Sequence, residues 1–503
     1  MSDYITKKQC KYVTDALAAG FLLAQVFLWR LPAYRVLPFS DGGHYAFVAR
    51  RIINGMFPYR DIYDHKPPGI YYIHGLFIAI FGDISLALWI EDVLLIAITA
   101  VILFVYMRKY LSRDWSLLYA SLYIVLVNAT LYFYFQPGWI EIPAALFLLS
   151  AYLLTMESKT WKGHACAGIA VACCVMTQQT AILTCLPIWI WLLARRDIKA
   201  CTAHFAAIIL LAVCFCFWYA AMGVLDEFLY FAVFFNRYYV QENLPTLDIQ
   251  RFKGIAYLLT PFLLVIYLVP FGVRRFGTKY VLLLMWTISA VTIIPIAGKR
   301  MYSHYFINWA IPLTLVMGLG WAARQEKGFS KPWAIVSGMC VVLFFLALSP
   351  ALEKYSTLVV LRWRTTDIHH FRTDLPEVLD YLKRNPLPNE NKNVLFFGKT
   401  WYELSLVADV DIPTAMTGNY PWVIIDHPRR EEFIKRWDNQ VKLAKPPLLI
   451  LLKTKTLPSW LSSEMKQWFQ DHYILAKTGQ KWDFFVYKET INGKDFTGVK
   501  QKI

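Results

Sequence analysis

Charge is scarce in this chain. Only 17% of its 503 residues are Asp, Glu, Lys or Arg, 57% are hydrophobic, and the mean hydropathy is +0.41. A soluble domain of this length carries more charge and less apolar surface, so a wholly soluble protein is excluded. Acidic residues are the scarcer sign, 35 against 51 basic, for a formal net charge of +16. Cysteine is also sparse. The nine present lie mostly within or beside apolar blocks, none follows Ala351, and no CxxC…CxxC spacing appears, so a zinc site is not expected and the thiols read as small packing residues. There is no solenoid-type repeat, no low-complexity linker and no Gly-rich phosphate loop in the tail. No small-residue cleavage site follows the first apolar block, which reads as a retained span. No cofactor is identified, and nothing demands a divalent metal.

What the chain has in abundance is long apolar runs of roughly 17–25 residues, enough to cross about 30 Å of hydrocarbon as helices. Basic residues sit in short clusters between them: Lys7, Lys8 and Lys11; Arg108, Lys109 and Arg113; Lys159 and Lys162; Arg195, Arg196 and Lys199; Arg274, Arg275 and Lys279; Arg324, Lys327 and Lys331. This is the positive-inside pattern, so the net charge reports membrane orientation and calls for no nucleic acid. Placing each cluster in the cytoplasm predicts about 11 spans: 12–30, 84–107, 115–134, 139–155, 164–178, 180–194, 202–221, 254–272, 280–296, 304–323 and 332–349. The amino terminus is then cytoplasmic, and residues 31–83 form one long outer segment. The expected fold is a polytopic α-helical membrane protein with a small extracytoplasmic α/β domain, divided into residues 1–350 and 351–503.

The tail rests on its own pattern. Helical periodicity is expected at 375–384, 429–445 and 462–472, and strands at 393–398, 447–453 and 482–488. About 150 residues can bury a core of their own.

Polar groups at membrane depth are costly, about 2.5–3.5 kcal/mol each on insertion scales, so a site at the interface explains them best. The topology puts the informative ones on one side. They are Asp41, His44 and Tyr45; Asp64, His65 and Lys66; Glu141; Gln178 and Gln179; and Arg300, Tyr302 and His304. Carboxylates beside basic groups at a membrane surface suit transfer from a phosphate-activated lipid. A carboxylate can deprotonate an acceptor hydroxyl, and Lys or Arg can hold the leaving phosphate. Asp41 and Asp64 are the candidate carboxylates, and Lys66, Arg300 and His304 the candidate phosphate ligands. Pro67 and Pro68 stiffen the backbone behind Lys66.

Residues 41–82, from Asp-Gly-Gly-His-Tyr through Tyr-Arg-Asp-Ile-Tyr-Asp-His-Lys-Pro-Pro-Gly to Phe-Gly, resemble the first-loop signature of the GT-C membrane glycosyltransferases. They are most similar to the branch holding lipid A aminoarabinose transferases and protein O-mannosyltransferases. The resemblance continues in Glu141-Ile142-Pro143, Gln178-Gln179-Thr180-Ala181 and Arg300-Met301-Tyr302-Ser303-His304-Tyr305, covering about the first 320 residues. It implies a glycosyltransferase of the bacterial cytoplasmic membrane. Such an enzyme moves a sugar from a polyprenyl-phosphate donor to an extracytoplasmic lipid, glycan or protein. Asp41 matches the base or acceptor-orienting aspartate, Lys66 the lysine on the polyprenyl phosphate, and Arg300 and His304 outer phosphate contacts. His44, Tyr45, His65, Glu141, Gln178 and Tyr302 are further candidates for substrate contact. Where many relatives have a second acidic residue after the loop aspartate, this chain has Gly42. Where the aminoarabinose branch has arginine, it has His44.

Each residue also has a plainer reading. Asp41 suits a helix N-cap, a role compatible with catalysis. Asp61 and Asp64 suit solvated loop positions, Lys66 an interfacial anchor, Glu141 a helix cap, Arg300 a topology signal, and Gln178 and Gln179 the satisfaction of backbone where two spans meet. Asn128-Ala-Thr130 matches a glycosylation sequon inside a span, a chance match. A transporter or lipid flippase is the alternative from another class. It calls for broken helices at the bilayer midplane and repeated halves, neither of which the sequence displays.

Overall fold

A computed structural model describes residues 2–131, 136–242, 261–297, 303–326, 375–397, 404–406, 408, 410–414, 425–453 and 457–490. The chain divides into two compact units: Met1–Val36, Lys66–Trp218 and Asn243–Arg364 form the first; Leu37–His65, Tyr219–Glu242 and Thr365–Ile503 form the second.

The first unit is helical. Its elements are α1 (Ser2–Arg30), α3 (Gly69–Phe81), α4 (Ile84–Met107), α5 (Arg113–Leu131), α6 (Glu141–Glu157), α7 (Trp161–Thr177), α8 (Ile182–Ala194), α9 (Ile198–Ala221), α12 (Pro261–Phe276), α13 (Thr278–Ala297) and α14 (Ile307–Gln325). Among the described residues, four stretches are long and apolar enough to cross a membrane: Val13–Ala33, Ile84–Met107, Ile198–Ala221 and His304–Gln325. Start and stop signals are local. Asp83 caps α4 by accepting the Leu86 amide at 2.8 Å, and Thr160 caps α7 by accepting that of Gly163 at 3.2 Å. The centre of the unit is α14, buried along its length and packed against α5, α6, α12 and α13. Small residues permit this closeness. A side chain at Gly320 would come within 2.7 Å of Leu268 Cβ.

A described helix overlaps each of ten expected spans, and the expected span 332–349 lies outside the described residues, as do residues 132–134 and 254–260 of two others. The outer segment 31–83 differs from expectation, because it is not one irregular loop. It holds α2 (Ser40–Ile53) and α3, and the 13 residues of α3 are almost wholly apolar. Only Gly82, at φ +74°, and the capping Asp83 separate α3 from α4. The apolar signal therefore begins some fifteen residues earlier than the span boundary at 84 suggested.

The second unit joins α2 and the following loop to α10 (Leu225–Leu229), a π-turn at Tyr230–Phe234, α11 (Phe235–Glu242) and the tail. The tail contributes α15 (Leu375–Arg384), β1 (Val394–Phe397), α16 (Arg430–Ala444), β2 (Leu448–Leu452), α17 (Ser463–His472), β3 (Tyr473–Thr478) and β4 (Trp482–Tyr487). The sheet order is β1-β2-β4-β3, with β1 parallel to β2 and the other pairs antiparallel. Six of these elements match the sequence pattern within two residues. The strand β3 was not anticipated, because it follows α17 without a breaker and only its first residue is fully buried.

Candidate active site

The sequence candidates gather into one constellation in each unit. In the first unit, Lys66-Pro67-Pro68 leads into α3, and Gly69 carries the close approach that fixes the turn. A Cβ there would lie 2.5 Å from the carbonyl oxygen of Met176, so only glycine lets the start of α3 sit against the end of α7. Two residues beyond Met176, Gln178 turns inward between α7 and α8. Its amide nitrogen donates to Glu141 Oε1 at 3.2 Å, and its amide oxygen accepts from Asn308 at 2.8 Å. His304 Nε2 stands 4.0 Å from the same Glu141 oxygen, and its ring stacks on Trp139 at 4.3 Å between centroids. Glu141 is 2% exposed and opens α6, so its carboxylate sits at the positive end of a helix dipole. Lys66 is half-buried, within electrostatic reach of His304. Glu141, Gln178 and His304 therefore meet from three separate stretches of chain, with Lys66 within electrostatic reach. Arg300 and Tyr302 lie outside the described residues.

In the second unit the centre is Asp64, 2% exposed. Its Oδ2 lies 3.0 Å from His44 Nε2, and its Oδ1 lies 3.1 Å from His65 Nδ1 and accepts the His65 amide at 2.6 Å. Burial pushes the Asp64 carboxyl up, but His44 and His65 outweigh it and hold the group well below the usual carboxylate range. Asn236 donates to the His65 carbonyl at 3.0 Å. Tyr45 is buried edge-on to the His44 ring at 6.0 Å. Asp64 is thus a buried, doubly paired group and not a solvated loop residue. Asp61 does the local work instead, accepting the Phe57 amide at 2.6 Å and pairing with Arg60.

Asp41 stands apart from this cluster. It is exposed in the first turn of α2, while Phe39 occupies the N-cap, so the expected side-chain cap does not form. Among the described residues Asp41 has no ion pair, which leaves its carboxylate open to a substrate. No group of three or more His, Cys, Asp or Glu is set to hold a metal ion among the described residues.

Sequence reasoning passed over a second layer in the first unit. Within α4, Glu91 and Asp92 are adjacent and buried; Glu91 meets His74 of α3 at 2.8 Å, and Asp92 meets Arg30 at the end of α1 at 2.5 Å. Two successive carboxylates inside a 24-residue apolar run are the signal that could have found them. Asn308, one turn beyond His304, gives no such signal.

Residues 65–237 match the dolichyl-phosphate-mannose-protein mannosyltransferase family. No curated protein matches the chain. Among solved structures, ArnT from Cupriavidus metallidurans bound to undecaprenyl phosphate superposes with a TM-score of 0.57 at 12% identity, covering 93% of this chain and 97% of that one. The same protein in the apo state gives 0.55 at 12% identity, covering 96% and 98%. In fold over nearly its whole length, and in sequence across residues 65–237, the chain resembles the GT-C superfamily of membrane glycosyltransferases.

Proposed function

We propose that the protein is a membrane glycosyltransferase that moves a sugar from a polyprenyl-phosphate donor to an extracytoplasmic hydroxyl. The observation that carries this reading is the meeting of Glu141, Gln178 and His304 in one buried polar cluster, built from chain segments that flank apolar helices, with the half-buried Lys66 within electrostatic reach of His304. Lys66 and His304, with Arg300, hold the donor phosphate; Glu141 and Gln178 orient the sugar. Asp41 is the base. It is exposed and uncommitted, whereas Asp64 is ionised but already engaged by two imidazoles, so Asp64 acts by fixing His44 and His65. His44, Tyr45, His65 and Tyr302 contribute to the substrate surface.

The acceptor oxygen attacks the anomeric carbon as the bond from that carbon to the phosphate oxygen breaks. The acceptor proton passes to Asp41, and polyprenyl phosphate leaves as the anion, its charge met by Lys66 and Arg300. One displacement inverts the anomeric centre. The site faces the outside of a bacterial cytoplasmic membrane, with residues 1–350 as the membrane part, residues 351–503 as an extracytoplasmic domain, and the amino terminus in the cytoplasm. The ArnT structure bound to undecaprenyl phosphate supports a lipid donor of this class.

The test compares purified wild type with Lys66→Ala and Asp41→Asn. Undecaprenyl phosphate binding falls tenfold or more in Lys66→Ala and is unchanged in Asp41→Asn, while sugar transfer in membranes, followed by mass spectrometry of lipid and glycan fractions, is lost in both. Full transfer by Asp41→Asn sinks the assignment of the base. Transfer that is intact in both variants when the lipid-linked sugar is supplied on the outer face, with that lipid failing to cross the bilayer by itself, makes the protein a flippase.

A further inference from the structure

The pair of charges between α1 and α4 reaches further than its own two helices. Arg30 and Asp92 are 2% and 1% exposed, and they meet at 2.5 Å. Each also grips the segment that precedes α6. Arg30 Nη2 donates to the carbonyl of Gln136 at 3.2 Å, and Asp92 Oδ1 accepts the amide of Gly138 at 3.4 Å. The same Gln136 carbonyl accepts from the indole of Trp139 at 3.1 Å, and that indole is the one stacked on His304. Two residues later the segment becomes α6 at Glu141, which holds Gln178 and stands beside His304. Trp89, one turn before Asp92, donates to the Arg30 carbonyl at 2.7 Å and keeps the end of α1 in place.

We propose that the Arg30–Asp92 pair is a positioning device for the donor-phosphate end of the site, acting through residues 136–141 on Trp139, His304 and Glu141. It rests on the reading of that cluster as the polyprenyl-phosphate site. Neither Arg30 nor Asp92 touches substrate. The pair holds a segment that carries Glu141, a member of the cluster, and Trp139, on which His304 stacks. A salt bridge kept only for stability has no need to hold a neighbouring loop by both of its partners. Buried ion pairs can often be replaced by apolar residues of similar volume with no loss of stability, so a positioning role can be separated from a stabilising one.

That last point supplies the test. Arg30→Met alone leaves Asp92 buried without a partner and is expected to fold poorly. The double variant Arg30→Met/Asp92→Leu removes both charges and keeps the volume, and it is expected to melt at or above the wild-type temperature. With stability restored, the loop still lacks its two anchors. Amide exchange across residues 136–141 is therefore expected to speed up tenfold or more, and undecaprenyl phosphate binding to weaken by at least tenfold. Asp92→Glu, which keeps both charges, is expected to recover part of the binding. A double variant that binds undecaprenyl phosphate as tightly as wild type and exchanges at the wild-type rate overturns the proposal. If instead the wild type does not bind undecaprenyl phosphate at all, the reading of the site falls. The exchange rates then still decide whether the pair holds the loop.

Discussion

At the scale of single residues, Asp64 is a buried carboxylate held by two imidazoles and a backbone amide. Its folded value lies below the usual aspartate value of 3.8 because His44 and His65 favour the anion. A depressed carboxylate stabilises the folded chain fully above its unfolded value and loses that contribution as pH falls through the folded value. The Asp64 carboxylate therefore keeps its charge from neutral pH down to about pH 4, and its stabilisation is lost only as pH falls below that. Asp64→Asn should lower stability by about 2 kcal/mol at pH 7, in line with charge-assisted bonds of this kind. The gap in melting temperature between wild type and variant should remain open at pH 5 and close under stronger acid. A gap that closes between pH 7 and pH 5 would assign the titration to another group. Asp41 behaves differently. It has no pairing to lose among the described residues, so Asp41→Asn should leave the melting temperature unchanged while transfer stops.

At the scale of elements, the sequence was most legible where one face of an element is apolar and the other wet. The tail helices α15, α16 and α17 and the strand β4 show this contrast, while β1 and β2 stand out as short apolar runs buried on both faces. The strand β3 shows it only at its first position. Within the membrane part the apolar runs were plain, but α3 was absorbed into a loop because its neighbourhood of Tyr, His, Lys and Pro looked polar. The site was legible to the same degree. Lys66, Glu141, Gln178 and His304 stand out as polar residues at the ends of apolar runs. Asn308 does not, and although Arg30 ends one apolar run and Asp92 interrupts another, nothing local pairs them. Arg30 and Asp92 are 62 positions apart, and pairing at that distance follows from which helices are neighbours, which no local pattern encodes. The junction of α3 with α7 makes the same point through packing. Gly69→Ala puts a methyl group 2.5 Å from the Met176 carbonyl oxygen, and that backbone cannot rotate away. Overpacking of this kind costs about 2 kcal/mol. The variant should melt lower and bind undecaprenyl phosphate more weakly, because Lys66 is only three residues from the displaced turn. Unchanged binding beside a lower melting temperature would separate Lys66 from the junction.

At the scale of the whole molecule, the second unit joins the tail to residues 37–65. The two are joined at several independent points. Arg51 on α2 is buried and donates to the carbonyl of Ile412 at 3.0 Å, and its neighbour Arg50 donates to that of Ser405. Arg436 on α16 donates to the Tyr63 hydroxyl at 3.1 Å and pairs with Glu227 at 3.4 Å. Tyr63 stacks on Phe231 at 4.8 Å, and Phe231 in turn stacks on Phe433 of α16 at 5.0 Å. His427 meets the Tyr230 hydroxyl at 2.7 Å. Tyr63 immediately precedes Asp64, so the grip of Arg436 falls one residue from the His44–Asp64–His65 cluster. The exposed part of this contact is worth little by itself, since half-exposed ion pairs contribute about 0–1 kcal/mol. Burial makes the Arg51 contact the stronger one: Arg51→Met leaves the Ile412 carbonyl without that donor, at a cost of about 1–3 kcal/mol. The double variant Arg51→Met/Arg436→Ala should therefore loosen the loop and the tail together. Hydrogen exchange measured by mass spectrometry should rise in residues 54–65 and in residues 410–414 of the same molecule, with transfer reduced several-fold and the α4 and α14 helices unaffected. Faster exchange confined to 410–414, with 54–65 and transfer at wild-type levels, would mean that the loop keeps its shape without the tail, and the tail would then serve the enzyme in some way other than by holding Asp64 in place.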